Sequence, residues 1–431
     1  MSEEVDKMNK TPLPTKSINP ANRLVQGLGL FGLIAATFNC TVGGGIFRLP
    51  ASVYQIAGQA SPLVYLICFT VMLLVATVFI QVGRHIRSSG GPYAYVQPVL
   101  GPYAAYLCGV LLWALATFAM AAVAAAYAGF VTTFIPSLSS ELGKAAILGT
   151  TFSLLIYFNL RGVKAGSAVS IVLSLFKILP LLALIVLGIP EFKTEALQLP
   201  ENIEWESLSR AAIILVFAFT GVESALIPSG EIQNPEKNLP RAIYIAMGLV
   251  LFLYLGVQAV AQSTLGTQMG NAINAQQSPL AAAAEVLIGP RGAVLLGIGA
   301  VLSTLGYLSA ITLSLPRSLF SFAQDGFLPA KLAELDPVTH APKNAIIAQV
   351  IVAFLLAASS LFEKLAVLSN VSALLMYSIC AIAAIKVGRR WIPILALLSM
   401  GALLLTVSLM EWFSVFGVII LASGIYWIKR R

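Results

Sequence analysis

Three stretches of this chain set helix-breaking or ionisable residues among apolar neighbours. The first is Thr41-Val42-Gly43-Gly44-Gly45-Ile46-Phe47, three successive glycines inside a hydrophobic segment. The second is Phe217-Ala218-Phe219-Thr220-Gly221-Val222-Glu223-Ser224, continuing to Pro228 and Glu231, and the third is Lys177, alone in Ser174-Leu175-Phe176-Lys177-Ile178-Leu179-Pro180. Glycine costs a helix interior about 1 kcal/mol relative to alanine, so the first two stretches read as helices that unwind. A half-helix starting after Gly45 aims free N–H groups and a positive dipole end at what lies before it, which suits a carboxylate. Carbonyls left open around Phe217, Ala218 and Thr220 suit an ammonium. Together they describe an α-amino acid. Thr41 and Ile46 flank the first break and Gly221 forms the second. Phe217 is read as a lid, Tyr307 or Ser309 as the opposite wall, and the small residues Ala119 to Ala126 as room for a side chain. The competing reading, that glycines only let helices pack closely, accounts better for a lone glycine than for a triplet paired with a Gly/Glu break.

Lys177 needs its own account, because a lysine at mid-bilayer costs roughly 2.5 to 3.5 kcal/mol on insertion scales. Its ammonium can take the place of a coupling sodium ion on the carbonyls of the first break and pass a proton as access alternates. The alternative is a fixed structural cation. Glu223 divides in the same way between proton-linked gating and bracing of the unwound turn. Arg48 reads as an interfacial or gate arginine.

The elements that position these residues are membrane helices. Of 431 residues 58% are hydrophobic and 10% charged, and the mean hydropathy is +0.89. Soluble domains carry about 25% charged residues, so lipid must account for the difference. Stretches of roughly 20 apolar residues give twelve spans, near 24–57, 60–83, 99–134, 145–160, 167–189, 208–230, 240–264, 290–323, 343–361, 364–386, 391–409 and 411–428. The tail and even-numbered loops collect nineteen of the 26 basic residues, the opposite side five, and Arg48 and Lys177 fall inside spans. That asymmetry puts both termini in the cytoplasm of a plasma or inner membrane. Residues 1–23 read as a disordered cytoplasmic tail without a cleavable signal. The loops 190–207, with five glutamates, and 265–289 read as surface loops. Residues Arg87 to Tyr93 and Asp325 to Pro329 read as tight turns capping long helices.

Interrupted helices at matching places in two halves of opposite orientation point to a transporter binding site. The expected organisation is one inverted repeat over 24–189, a second over 190–386, and two further helices with a short tail over 387–431. The fold class is thus all-α integral membrane, with twelve helices in a five-plus-five inverted-repeat core. Cys40, Cys68, Cys108 and Cys380 show no CxxC spacing, and His85 and His340 lie in loops, so no metal or cofactor is expected. Basic residues form no patch for nucleic acid. No His, Cys or paired-carboxylate cluster points to an enzyme.

Gly43-Gly44-Gly45-Ile46-Phe47, Ser89-Gly90-Gly91-Pro92-Tyr93, Gly221-Val222-Glu223-Ser224-Ala225, Gly230-Glu231 with Asn234-Pro235, Leu239-Pro240-Arg241, and Pro316-Arg317 with Asp325-Gly326 together resemble the amino acid, polyamine and organocation (APC) transporter superfamily over about residues 25 to 345. The resemblance implies alternating access through discontinuous helices one and six. By it, Gly43 to Ile46 hold the carboxylate, the Phe217, Ala218 and Thr220 carbonyls hold the amine, and Lys177 matches the lysine of proton-coupled members. Relatives often carry Ser or Thr where this chain has Gly44. The arginine/agmatine antiporters carry a tryptophan where Phe217 stands and lack the lysine, which favours neutral over dibasic substrates. Proton symport of a neutral L-amino acid is the first expectation. Exchange, including antiport of basic amino acids or polyamines, is the second, and a non-transporting amino acid sensor is a minor third. Partners are then the amino acid, protons and the lipid bilayer.

Overall fold

The computed structural model describes residues 29–83, 92–160, 177–223, 232–270, 278–324, 326–337, 339, 341–359 and 361–430. The tail 1–23, the Ser89–Gly91 part of one motif, the first part of the fifth span, Ser224 to Glu231, His85 and His340 lie outside these residues.

Helices are the only regular structure among the described residues, as an apolar solvent demands of a chain whose backbone must satisfy itself. In order they are α1 (Leu30–Thr41), a 3-10 turn (Gly44–Phe47), α2 (Leu49–Ala57), α3 (Ser61–Gly83), α4 (Pro92–Leu100), α5 (Pro102–Phe134), α6 (Glu141–Leu160), α7 (Ile178–Gly188) and α8 (Trp205–Phe219). There follow α9 (Pro235–Leu265), α10 (Pro279–Ile288), α11 (Pro290–Ser314), α12 (Pro316–Gln324), α13 (Lys343–Ala357), α14 (Phe362–Val387), α15 (Trp391–Leu404) and α16 (Leu409–Arg430). Seven described stretches are long and apolar enough to cross a membrane, and five shorter helices are also apolar. Proline opens α5, α9, α10 and α11, where its missing N–H costs nothing because the first turn has no acceptor for it.

One expected loop is in part a helix. Within 265–289, α10 buries Leu280, Ala281, Ala283 and Ala284 and packs on α11. Pro279 presets the first turn, and Leu280 to Ala284 are strong helix formers small enough to lie flat on a neighbour. The polar composition of the preceding residues hid this. The long third span is one continuous helix, α5, with the short α4 set before it across Gly101. After α12, the N–H of Phe327 returns to Phe322 O (2.9 Å) and that of Gly326 to Ala323 O (3.1 Å), so a turn of Schellman form caps this helix.

In the core, α14 runs along α5, α8 packs on α2, α3 and α14, and α1 lies on α9. A second cluster joins the start of α5, the end of α12 and the end of α16. Tyr106 sits 4.4 Å from Phe327 and 5.1 Å from Tyr426, ring centre to ring centre, and Tyr103 lies 5.1 Å from Tyr426. Tyr103 and Ser423 share a hydroxyl bond of 2.9 Å, and Tyr106 donates to Ala422 O at 3.2 Å.

Candidate functional site

The first break begins where α1 stops. Gly43 is extended (φ −94°, ψ −170°), and its N–H turns back to Thr41 O at 2.9 Å instead of reaching Asn39 O as a continuing helix would require. The 3-10 turn follows, and its i−3 bonding leaves the N–H groups of Gly44 and Gly45 without an intrahelical acceptor. Close approach explains the middle glycine. A β-carbon on Gly44 would stand 3.2 Å from Thr304 Cα and collide with the Thr304 γ-methyl. The next glycine, Gly45, carries the Phe217 ring.

The second break begins after α8. The Thr220 N–H still reaches Val216 O (3.1 Å), but Thr220 is extended (ψ 153°) and Gly221 has φ +107°, a region that side chains avoid. The Gly221 N–H leaves the helical ladder for Glu223 Oε2 at 2.9 Å. Phe217 O, its helical acceptor, takes the Thr220 hydroxyl at 2.9 Å. The two breaks touch here: a β-carbon on Gly221 would lie 2.5 Å from Cys40 O.

Three side chains hold the breaks from neighbouring helices. Lys177, 5% exposed at the head of α7, donates from Nζ to Asn39 O at 2.6 Å and Val42 O at 2.5 Å. The first of these is the carbonyl that the Gly43 N–H abandons. Tyr254 on α9 places its hydroxyl 3.1 Å from Thr41 O and 2.9 Å from Ala218 O, one carbonyl from each break. Tyr377 on α14 donates to Glu223 Oε2 at 2.8 Å.

Between the breaks lies a cavity of about 30 Å³. Thr41, Gly43, Gly44, Gly45, Ile46, Phe217, Ala218, Thr220 and Tyr307 line it, with Cys40, Ala119, Val123 and Tyr254. Gly221 and Glu223 stand behind this lining at the second break, and Lys177 stands behind the first. Ser309 is buried and is not part of the wall. On one side Phe217 meets Phe362 edge to face (5.8 Å). Arg48 lies over Phe362 at 5.4 Å and pairs through Nε with Glu363 Oε1 at 3.1 Å, with only 14% of its side chain exposed.

Two features depart from expectation. The Phe217 and Ala218 carbonyls, expected to be open, each already accept a hydrogen bond from the chain, although a carbonyl can accept a second. Nothing in the local sequence marks Tyr254, Thr304, Tyr377 or the Arg48–Glu363 pair as contacts of the breaks. The only sequence signal for Tyr254 is a phenol in an apolar helix, which needs a hydrogen-bond partner.

Tyr254 yields a direct prediction. Tyr254→Phe removes a bond to either break and, at about 1 kcal/mol net, should weaken ligand binding about fivefold while the protein remains folded. Titrated thermal stabilisation of the purified variant measures this, and an affinity equal to wild type contradicts it.

The sequence profile of the family described as "Amino acid permease" matches residues 28–429. The chain is 26% identical to the "Serine/threonine exchanger SteT" of Bacillus subtilis, over 83% of this chain and 81% of that protein. It is 25% identical to the "Methylthioribose transporter" of the same organism, over 91% and 90%. To the "L-lysine transport protein" of Corynebacterium glutamicum it is 26% identical, over 70% and 62%.

Proposed function

Because this chain belongs to the amino acid permease family, and so is a membrane transporter of the APC superfamily and not an enzyme, we propose that it carries a small neutral L-amino acid by alternating access, coupled to protons. The observation that carries the substrate reading is the cavity between two facing breaks, whose lining contains no charged side chain. A zwitterion needs none. The N–H groups of the first break receive its carboxylate, and the second lone pairs of the Phe217 and Ala218 carbonyls, with the Thr220 carbonyl, receive its ammonium.

The proposed architecture has twelve crossings: α1 with α2, α3, α5, α6, the span ending in α7, the span beginning with α8, α9, α11 with α12, α13, α14, α15 and α16. Residues 24–189 and 190–386 form two inverted repeats, 387–431 add two helices, and both termini face the cytoplasm of the plasma membrane. This reading is supported by a break in the first helix of each repeat and by the distribution of basic residues. Phe217, Phe362, Arg48 and Glu363 then cover the cavity from the outside. Opening requires the Arg48–Glu363 pair to part.

Lys177 carries the coupling. Its ammonium joins two carbonyls of the first break, so losing a proton would release that joint and link the proton to the position of α1. Glu223, tied to Gly221 and Tyr377, is the second candidate. Exchange remains a second reading because one relative is named an exchanger.

Uptake into proteoliposomes tests these together. Acidification outside should drive accumulation of L-serine or L-alanine into empty vesicles. Uptake confined to preloaded vesicles would replace symport by exchange. No uptake in either case, with binding intact, would point to a sensor.

A further inference from the structure

We propose that Thr304 sets the anion selectivity of the Gly43–Ile46 turn: its γ-methyl fills the place of a side chain at position 44 and so keeps a hydroxyl from standing there, leaving the N–H groups of Gly44 and Gly45 to meet the ligand. This rests on the reading that the turn receives the carboxylate of the substrate.

The contact runs between backbone and one methyl. A β-carbon built on Gly44 meets the γ-methyl of Thr304 well inside van der Waals distance, and Thr304 Cβ and Cα at 3.3 and 3.2 Å. Thr304 is fully buried, and its hydroxyl is already engaged by its own helix, at 2.7 Å to Ala300 O and 3.0 Å to Val301 O. Those bonds fix a stiff β-branched rotamer in which the methyl, not the oxygen, faces the turn. The hydroxyls of Thr41 and Thr220 likewise bond helix carbonyls, at 2.9 Å each. Tyr307 meets the turn with a ring carbon, 3.9 Å from a β-carbon built on Gly43.

What the turn offers is therefore the N–H groups of Gly44 and Gly45. Carboxylate oxygens accept from both. A carboxamide presents an NH2 where one of these donors points, and two donors face each other without an acceptor. A serine hydroxyl at position 44 could donate or accept and would relax that discrimination, but Thr304 excludes it.

The test uses thermal-shift titration of the full-length protein with L-serine and L-alanine and with their primary amides. Wild type should bind each acid roughly 100-fold more tightly than its amide, as expected of a site whose polar groups an analogue leaves unpaired. Gly44→Ser alone should lose at least about tenfold in affinity for the acids. Adding Thr304→Ser, which removes only the methyl, leaves the 3.2 and 3.3 Å contacts that small shifts relieve. It should return acid binding to within about threefold of wild type and shrink the acid-to-amide ratio at least about tenfold. Adding Thr304→Val instead keeps a γ-methyl and should rescue nothing.

The proposal is overturned if Gly44→Ser binds like wild type, if Ser and Val at position 304 rescue equally, or if rescue leaves the acid-to-amide ratio unchanged. Should Gly44→Ser not fold, recovery of monodisperse protein by Thr304→Ser but not by Thr304→Val supports the proposal, and any other pattern overturns it. Wild type that responds to neither acid removes the small neutral substrate reading and this inference together. Wild-type binding with failed rescue removes this inference alone.

Discussion

Lys177→Ala should abolish uptake driven by a proton gradient and lower total uptake about 100-fold. The ammonium is donor to two carbonyls of the first break, the half-buried Asn39 O and the buried Val42 O. The first has lost its ladder partner because the Gly43 N–H bonds Thr41 O instead. Hydrogen bonds from a charged donor are worth about 1.5 kcal/mol or more each, and losing about 3 kcal/mol for the two corresponds to two orders of magnitude. Lys177→Arg should not restore uptake, since a planar fork cannot replace a compact charge aimed at two converging carbonyls. Proteoliposome uptake across a range of external pH measures the effect. If Lys177→Ala keeps the wild-type pH profile, Lys177 is a structural cation and coupling must lie elsewhere, with Glu223 next.

Gly221→Ala should be comparably damaging for a different reason. A φ of +107° costs a non-glycine residue of order 1–3 kcal/mol. The added β-carbon would also lie 2.5 Å from Cys40 O, a backbone atom that cannot swing aside. Both effects push the breaks apart, so ligand affinity should fall roughly 30-fold or more. Gly248→Ala is the matched control: it lies in α9, where a β-carbon meets nothing within 4 Å, and should bind as wild type does. Equal affinities for the Gly221 and Gly248 variants would mean that contact between the breaks does not shape the site.

Both sites of breakage were legible in the sequence because their residues contradict their surroundings. Three glycines, or Gly221 beside Glu223, cannot be ordinary in an apolar helix. Lys177 stood out for the same reason. Residues that agree with their surroundings were silent, although they complete the geometry. Thr304 is an unremarkable helix residue until Gly44 is seen against its methyl. Tyr254 and Tyr377 lie within apolar helices, and nothing local says that their hydroxyls reach Ala218 O or Glu223. Such pairings depend on tertiary packing across 36 and 154 positions of the chain. The helix α10 was masked by polar neighbours, which shows how a composition average over 25 residues can hide a short buried element.

The aromatic cluster around Tyr106 has a consequence for biogenesis. Its rings come from the start of α5, from Phe322 and Phe327, and from Tyr426 and Trp427 near the chain end. During synthesis, α5 must therefore wait for more than 200 further residues before its first turns find Phe322 and Phe327, and for more than 300 before they find Tyr426 and Trp427. Contacts of such sequence separation form late and leave apolar surface open in the interval. Shortening the chain before Tyr426 should accordingly be felt first as slow maturation and loss to quality control, at a site far from the substrate cavity.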